Sequence, residues 1–180
     1  MHTRRGSGAF VLARPLDYPL SQRVRFHQNL LAAGRLPDKN MLSVEIRAAG
    51  EDDARRLRVA TGDPIAVSQS LSFADQTLVA LSESRLPEVR LPGLADALRG
   101  EPGITRALAS VGVDDYIRVS TRLTATKASA TQALHLRLRE GAPLLLTESL
   151  SRDANGLPVE HGQTWFASER ITLTLDHAAG

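Results

Sequence analysis

The sequence predicts an α+β domain in which helices flank one antiparallel sheet. A unit made of a strand, a helix and a hairpin of two strands occurs twice along the 180 residues, and matching residues recur 77 to 80 positions apart. A single unit would leave its sheet face uncovered, so we expect the two copies to pair into one sheet. A chance likeness between two hairpins is the alternative explanation. The matched residues are Ala48 and Ala125, Leu57 and Leu134, Gly62 and Gly141, Pro64 and Pro143, Leu71 and Leu150, Ser72 and Ser151, and Val79 and Val159.

The first copy of the unit begins near residue 40. Apolar residues alternate with polar ones up to Ala48, which predicts a strand with one buried face. Acidic residues open the next segment and favour a helix start, and turns containing Gly, Asp and Pro separate the elements that follow. The predicted elements are a strand over 40–48, a helix over 51–59 and hairpin strands over 65–73 and 77–86.

The second copy repeats this order after residue 115. Between the copies, 87–115 contains a Pro-Gly loop and two short helices, the second of which Gly112 terminates. An insertion at this place is expected to lie across an edge or mouth of the sheet as a lid over a ligand. The predicted elements are helices over 94–98, 104–111 and 129–136 and strands over 116–127, 144–151 and 159–166.

The first fourteen residues are typical of the wing of a winged-helix DNA-binding domain. The stretch RRGSGAFV has two arginines for backbone phosphates and two glycines that suit a tight turn before a short apolar strand. We therefore expect 1–14 to be the remnant of such a domain, with Arg4 and Arg5 in contact with DNA; a disordered tail is the alternative. Two prolines predict an extended linker over 15–24, and the main domain is expected over 25–180.

The composition is that of an ordinary globular domain. Hydrophobic residues make up 42% and charged residues 23% of the chain, and a net charge of +2 confines any nucleic-acid contact to a local patch or another segment. The absence of cysteine excludes disulfides, thiolate zinc sites and cysteine nucleophiles. No apolar run reaches the length of a membrane span and no signal-peptide pattern opens the chain, so we expect a cytoplasmic protein with no membrane partner.

Nothing in the sequence requires catalysis, a metal ion or a cofactor. The five histidines show no metal-ligand spacing, and no P-loop or nucleophile-elbow motif occurs. His135 fits a packing position on a helix. His161 follows Glu160 on a strand, so these two side chains are expected to point to opposite faces of the sheet. We therefore predict that the protein is not an enzyme and binds neither a metal nor a cofactor.

Basic and hydroxyl residues predict an anion-binding site instead. On the strand over 116–127, strict alternation places Arg118 and Arg122 on one face, where two guanidinium groups would converge on a ligand. The segment PGITR begins a helix, where free amides, the Thr105 hydroxyl and the Arg106 guanidinium are suited to hold a phosphate or carboxylate. A solvated strand face and a simple helix cap are the respective alternatives.

Four stretches together resemble a known family. They are RRGSGAFV, ADQTLVALSESRLP, GITRALASVGVDDYIRVSTRLTA and DANGLPVEHGQTWFASERI. Each is weakly specific alone, but their order and spacing resemble bacterial GntR-superfamily repressors of the HutC subfamily, whose effector-binding module is the UTRA domain. The resemblance implies a chorismate lyase-like fold. It also implies a transcriptional regulator, usually homodimeric through this module, whose affinity for operator DNA changes when a small metabolite binds.

The resemblance implies site residues as well. Members that respond to sugar phosphates carry arginines where this sequence has Ser70 and Ser72, which argues against an amino-sugar phosphate. The hydroxyl that binds an anion in such members matches Thr105. Their pocket glutamate and aromatic residue match Glu160 and Phe166.

The stretch GVDDYIRVSTRLTA resembles members that regulate phosphonate- or phosphate-related genes, in which Arg118 and Arg122 would take over the anion. The resemblance thus implies a small anionic effector of the phosphorylated or phosphonate type, bound under the lid. Two alternatives stay open. One is a free-standing enzyme of the chorismate lyase type that releases pyruvate from an aromatic ether, and the other is a dimerisation module without a ligand.

Overall fold

The computed structural model describes residues 15–20, 26–100 and 103–175, and these ranges contain eight strands and five helices. The predicted wing, with Arg4 and Arg5, lies outside the described residues. The strands are β1 (Leu16–Pro19), β2 (Pro37–Ala48), β3 (Pro64–Ala74), β4 (Thr77–Leu86), β5 (Tyr116–Lys127), β6 (Pro143–Asp153), β7 (Pro158–Ala167) and β8 (Ile171–Thr174). The helices are α1 (Phe26–Ala32), α2 (Glu51–Leu57), α3 (Leu94–Gly100), α4 (Ile104–Ser110) and α5 (Ala130–Leu136).

Six of the strands form one antiparallel sheet with the order β2-β3-β4-β7-β6-β5. The units β2-α2-β3-β4 and β5-α5-β6-β7 are the two predicted copies, and they meet at the central pair β4–β7. The predicted α+β class and the duplicated unit are therefore confirmed. The copies are related by an approximate two-fold rotation that exchanges the two ends of the sheet.

Two of the residue pairs matched from the sequence are wrong. Helices α2 and α5 end at Leu57 and Leu136, which are both fully buried, and each is followed by an arginine in the left-handed conformation. Leu57 therefore corresponds to Leu136, whereas Leu134 is 78% exposed on the outer side of its helix. Similarly, Ala48 ends β2 as Lys127 ends β5, so Ala125 is not its counterpart.

Two arginines beyond the ends of the predicted repeat occupy equivalent positions. Each forms hydrogen bonds that link one copy to the other. Arg90 donates hydrogen bonds to the last carbonyls of α2 and to a carbonyl at the start of β7, in the other copy. Arg170 does the same at the end of α5 and at the start of β4. The acceptors are the carbonyl oxygens of Leu57, Arg58 and Pro158 for Arg90 and of Leu136, Arg137 and Leu78 for Arg170.

The helices lie on both faces of the sheet. On the back face, α2 packs on β3 through Leu57 and Ile65, and α5 packs on β4 and β6 through Leu136 and Leu144. On the front face, α3 and α4 of the predicted lid cover β2, β3 and the end of β4. Beside them, β1 and α1 pack on the part of the front face that contains Phe166.

The described part of the segment expected as a linker over 15–24 contains the strand β1. Within that segment, β1 pairs in parallel with β8, from Leu16 opposite Ile171 to Pro19 opposite Thr174. Tyr18 of β1 is buried against Phe26 and Phe166. Strand β1 is therefore held by pairing with a strand far away in the sequence. The local sequence of a proline-rich segment does not indicate such a pairing.

Candidate ligand-binding site

A cavity of about 430 Å³ lies between the front face of the sheet and the lid. Its size falls within the range of sites that hold small molecules. The sheet provides one wall, Gly103–Arg106 and Tyr116 another, and Tyr18 and Phe26 a third. Of the predicted site residues, Ser72, Thr105, Arg106, Arg118, Glu160 and Phe166 line the cavity, whereas Ser70 and Arg122 do not.

Hydroxyl side chains cover the floor of the cavity. Alternate residues of β3, β4, β6 and β7 point to the front face, and most of them are serine or threonine. Ser82 and Thr164 hydrogen-bond to each other at 3.2 Å across the central strand pair. The floor hydroxyls that line the cavity are those of Ser72, Ser82, Ser84, Thr147, Ser149 and Thr164.

The hydroxyl floor follows the internal duplication. Ser68, Ser70 and Ser72 of β3 correspond to Thr147, Ser149 and Ser151 of β6, and all six side chains are buried. Hydroxyls at every second residue of two equivalent strands are the sequence pattern that could have revealed this floor. Ser70 belongs to the row and faces the front, but it lies beyond the cavity wall.

The predicted convergence of Arg118 and Arg122 is wrong, because β5 contains a β-bulge. Arg118 pairs with Ser151 and Ser120 pairs with Leu150, so Val119 is an extra residue. Residues that pair directly across strands share a face, and Arg122 pairs with Glu148 on the back. The bulge shifts the alternation by one residue, so Arg118 faces the cavity and Arg122 is exposed on the opposite side.

Arg118 is a half-buried cation with an incomplete set of partners. Its Nε atom is buried and has no hydrogen-bond partner, and no carboxylate among the described residues lies within 4.0 Å of its guanidinium. The nearby Tyr18 hydroxyl is itself desolvated, and burial raises the pKa of Tyr18 to about 12, although the Arg118 charge and a hydrogen bond with Asn29 oppose the shift. The Tyr18 hydroxyl therefore remains a protonated donor at neutral pH.

Thr105 and Arg106 contribute to the cavity from the start of α4. The Thr105 hydroxyl lies 2.9 Å from the Tyr116 hydroxyl, which fixes both side chains at the cavity wall. The helix cap itself is Gly103, which offers no side-chain hydrogen bond. The hydroxyl and the guanidinium predicted at this helix start are therefore both placed at the site, and Pro102 lies outside the described residues.

Glu160 and Lys39 bring opposite charges to the cavity. Glu160 is buried on β7, and its Oε1 accepts a hydrogen bond of 2.7 Å from the Ser84 hydroxyl. Lys39 on β2 is half-buried, and burial lowers the pKa of its ammonium group, although the negative charge of Glu160 opposes this shift. Lys39 was not predicted as a site residue, because a single lysine on an edge strand has no distinctive local pattern.

Phe166 supplies an apolar surface at the end of the cavity near Lys39. It is buried on β7, and its ring packs against Tyr18 with centroids 5.6 Å apart. Together with Phe26 these rings form the apolar end of an otherwise polar site. The site thus combines a hydroxyl floor, three basic side chains, one buried carboxylate and an aromatic end.

The predicted opposite orientation of Glu160 and His161 is confirmed. His161 is buried on the back face, where its Nε2 lies 3.0 Å from Glu148 Oε1, and the same oxygen accepts an ion pair of 2.8 Å from Arg56. Burial lowers the pKa of His161, with the hydrogen bond to Glu148 acting against the shift. His161 is therefore not part of the cavity.

The part of the chain that the structure describes shows neither a metal-binding cluster nor a membrane-spanning helix. No group of three or more His, Cys, Asp or Glu side chains there is arranged to hold a metal ion. No helix among those residues has the length and apolarity needed to cross a membrane.

Residues 32–172 match the family described as the UTRA domain. The chain belongs to the UTRA domain family. This match covers the whole main sheet and the lid of the protein. Tyr18 and Phe26 of the cavity wall lie before the matched range, so residues of β1 and α1 complete the cavity of this UTRA domain.

The relatives of this UTRA domain are transcriptional regulators. It is 33% identical over 89% of its length to an HTH-type transcriptional regulator of Rhizobium meliloti, and it spans 66% of that protein. It is 28% identical over 97% of its length to a regulator of Escherichia coli named PhnF, and it spans 72% of that protein. These relatives confirm the predicted kind of protein, a regulator rather than an enzyme.

A solved structure of PhnF from Mycobacterium smegmatis confirms the fold. It superposes with a TM-score of 0.83 at 22% identity, over 92% of this UTRA domain and 73% of that chain. The effector domain of the same protein gives a TM-score of 0.81 at 21% identity and is covered completely. The sheet with its lid therefore has the same fold as that domain.

Proposed function

We propose that this UTRA domain is the sensor of a DNA-binding transcriptional regulator and binds a small anionic metabolite of the phosphorylated or phosphonate type. The observation that carries this proposal is the Arg118 guanidinium, which lines the cavity beside the hydroxyl floor and has no carboxylate within 4.0 Å among the described residues. A half-buried cation without a counter-charge is costly to desolvate. A bound anion would supply that counter-charge.

The anionic group would lie at the end of the cavity formed by Arg118, Arg106 and Thr105. Guanidinium groups bind phosphate and phosphonate oxygens through charge-assisted hydrogen bonds, and the Thr105 and Tyr18 hydroxyls add donors of fixed position. Glu160 would accept a hydrogen bond from a polar group elsewhere on the ligand, and Phe166 would cover an apolar part. Arg122 has no role in this arrangement.

Ligand binding would act on DNA through the arrangement of the whole regulator. The lid residues Gly103–Arg106 contact the cavity directly, so a ligand that binds one lid position more tightly shifts the population toward it. We propose that this shift changes the spacing of two DNA-binding heads in a homodimer. Arg4 and Arg5 would contact the backbone of operator DNA as parts of a wing.

Calorimetry with alkylphosphonates and phosphate monoesters, after a thermal-shift screen of the same compounds, tests this proposal. We expect Arg118→Ala to lower the affinity for the best compound at least about tenfold, because a charge-assisted hydrogen bond is lost. Arg122→Ala is the matched control on the same strand and should leave the affinity unchanged.

Equal losses in the two variants would contradict the bulge-dependent assignment of the site. If no compound in either class binds, the anion-sensing function itself is wrong and a module without a ligand becomes the better explanation. Circular dichroism and thermal unfolding of both variants show whether the fold is intact.

A further inference from the structure

Glu160 and Arg118 belong to one row of paired residues across the front face of the sheet. Arg118 of β5 pairs with Ser151 of β6, and Ser151 pairs with Glu160 of β7. Two strand spacings, about 10 Å, separate the backbones of Glu160 and Arg118, and the serine between them is small and buried. A glutamate and an arginine that extend toward each other across this gap would form an ion pair.

The Glu160 carboxylate is instead directed out of this row. Its Oε1 accepts a hydrogen bond of 2.7 Å from Ser84, and Ser84 pairs with Gly162, two residues further along β7. The Glu160 side chain therefore lies along its own strand, beside Gly162. Among the described residues, no carboxylate comes within 4.0 Å of the Arg118 guanidinium.

Gly162 provides the space in which this carboxylate lies. A Cβ atom at residue 162 would stand 3.4 Å from Glu160 Oε1, 3.7 Å from Glu160 Cδ and 3.2 Å from Ser149 Oγ. A β-branched side chain adds two more carbon atoms beyond Cβ, so it would crowd out the carboxylate or the serine hydroxyl. Glycine inside a strand often marks such a close approach.

Glu160 and Gly162 both depart from the internal duplication. Their equivalents in the first copy are Ala80 and Ser82, as the pairing with the equivalent strands β3 and β6 shows. The second copy thus has a longer side chain at one position and no side chain two residues further on, on the same face of the sheet. The missing side chain compensates for the added carboxylate, in the copy whose edge strand carries Arg118.

We propose that Gly162 is a positioning residue that keeps the Glu160 carboxylate away from Arg118 and so leaves this guanidinium available to the anionic group of the effector. A larger side chain at residue 162 would displace the carboxylate toward Arg118. There it would act as an internal counter-ion that competes with the effector. This inference rests on the proposed anion-sensing function.

A double-mutant cycle on the whole chain tests the inference by calorimetry. The ligand is the tightest-binding member of the unsubstituted alkylphosphonates and alkyl phosphates from methyl to pentyl, which carry no polar group besides the anion. We expect Gly162→Val to weaken binding about tenfold, because the displaced carboxylate competes for Arg118. Glu160→Gln alone should strengthen binding, because it removes a negative charge from the cavity. The double variant should bind within about twofold of Glu160→Gln, since a neutral amide does not compete with the anion.

Ser84→Ala displaces the carboxylate without adding bulk to the cavity, because it removes the hydrogen bond that holds Glu160. It should also weaken binding, and Glu160→Gln should again reverse the loss. Gly162→Ala is a milder variant if Gly162→Val does not fold. It should give a smaller loss that Glu160→Gln also reverses.

Ser82→Val is the matched control for bulk. It enlarges the equivalent floor residue of the first copy, which has Ala80 in place of Glu160 as its neighbour along the strand. Any loss of affinity that Ser82→Val causes should remain in the Glu160→Gln background.

Two results would overturn the inference. A Gly162→Val protein that binds as tightly as the unmodified protein would show that Gly162 does not position the carboxylate. A loss that persists in the Glu160→Gln background would show that bulk alone blocks the cavity. In both cases Arg118-dependent binding in the unmodified protein persists and the proposed function stands, whereas no binding of any of these ligands to the unmodified protein would reject both.

Discussion

At the scale of single residues, the structure separates groups that the sequence places side by side. Glu160 and His161 are neighbours in the chain, yet one faces the ligand cavity and the other a polar network on the back. The His161 ring can donate from Nε2 to Glu148, which leaves a buried Nδ1 with no partner among the described residues. Protonation would place a second buried N–H group there without an acceptor, which favours the neutral ring.

This environment predicts a pH-dependent stability. Burial lowers the pKa of His161 below its unfolded value of 6.5. In the window below pH 6.5 the unfolded chain therefore binds more protons than the folded one, and the free energy of unfolding falls as the pH is lowered. Denaturant unfolding between neutral pH and about pH 5 should show a shallower decline in His161→Gln than in the unmodified protein.

His135→Gln is the matched control for this measurement, since His135 lies half-buried on α5, away from the Glu148 network. It should reproduce the pH profile of the unmodified protein. Identical profiles for His161→Gln and the unmodified protein would show that His161 does not titrate differently in the folded and unfolded states.

At the scale of secondary-structure elements, the sequence predicts where strands and helices lie better than it predicts the face of the sheet to which a side chain points. Hydrophobic alternation and turn residues correctly predict the strands and helices of both copies, and the duplication correctly predicts that they share one sheet. The face of Arg122 was predicted wrongly, because the bulge at Val119 carries no glycine or other mark in the sequence. Lys39 and Tyr18 reach the site through the twist of the sheet and through β1, which are properties of tertiary structure.

The equivalent arginines Arg90 and Arg170 give a prediction about these elements. Each binds three main-chain carbonyls that join a helix end to the opposite copy. Arg90→Ala or Arg170→Ala leaves partly buried carbonyls without donors and should lower the free energy of unfolding by about 2 kcal/mol each. Urea denaturation monitored by Trp165 fluorescence measures this loss.

A lysine at either position should recover only part of the stability, because one ammonium group cannot reproduce the planar fork of a guanidinium. Arg139 is exposed near a turn, so Arg139→Ala should change the free energy of unfolding by no more than about 0.5 kcal/mol. If Arg90→Ala lowers the free energy of unfolding no more than this control does, the carbonyls are hydrogen-bonded by solvent. The arginines then do not stabilise the contact between the copies.

At the scale of the whole molecule, the lid breaks the symmetry of the duplicated sheet. Helix α3 packs on Met41 and Val44 of β2, whereas on the equivalent edge strand β5 only Tyr116, at its start, packs against the core formed by α3 and α4. Ile117, Val119 and Leu123 of β5 are 39%, 42% and 49% exposed. A long edge strand with exposed apolar residues is usually covered, because it would otherwise promote uncontrolled association.

A second copy of the chain would cover β5 and at the same time give the homodimer proposed for the regulator. Size-exclusion chromatography with multi-angle light scattering should therefore report a dimer. Leu123→Lys and Val119→Lys should shift the protein toward a monomer, because each places a charge at the contact without disturbing a buried core. Leu134→Lys, at the 78% exposed residue on the outer side of α5, should leave the dimer intact. A monomer in the unmodified protein would reject the dimer, and a dimer that only Leu134→Lys disrupts would place the contact elsewhere than β5.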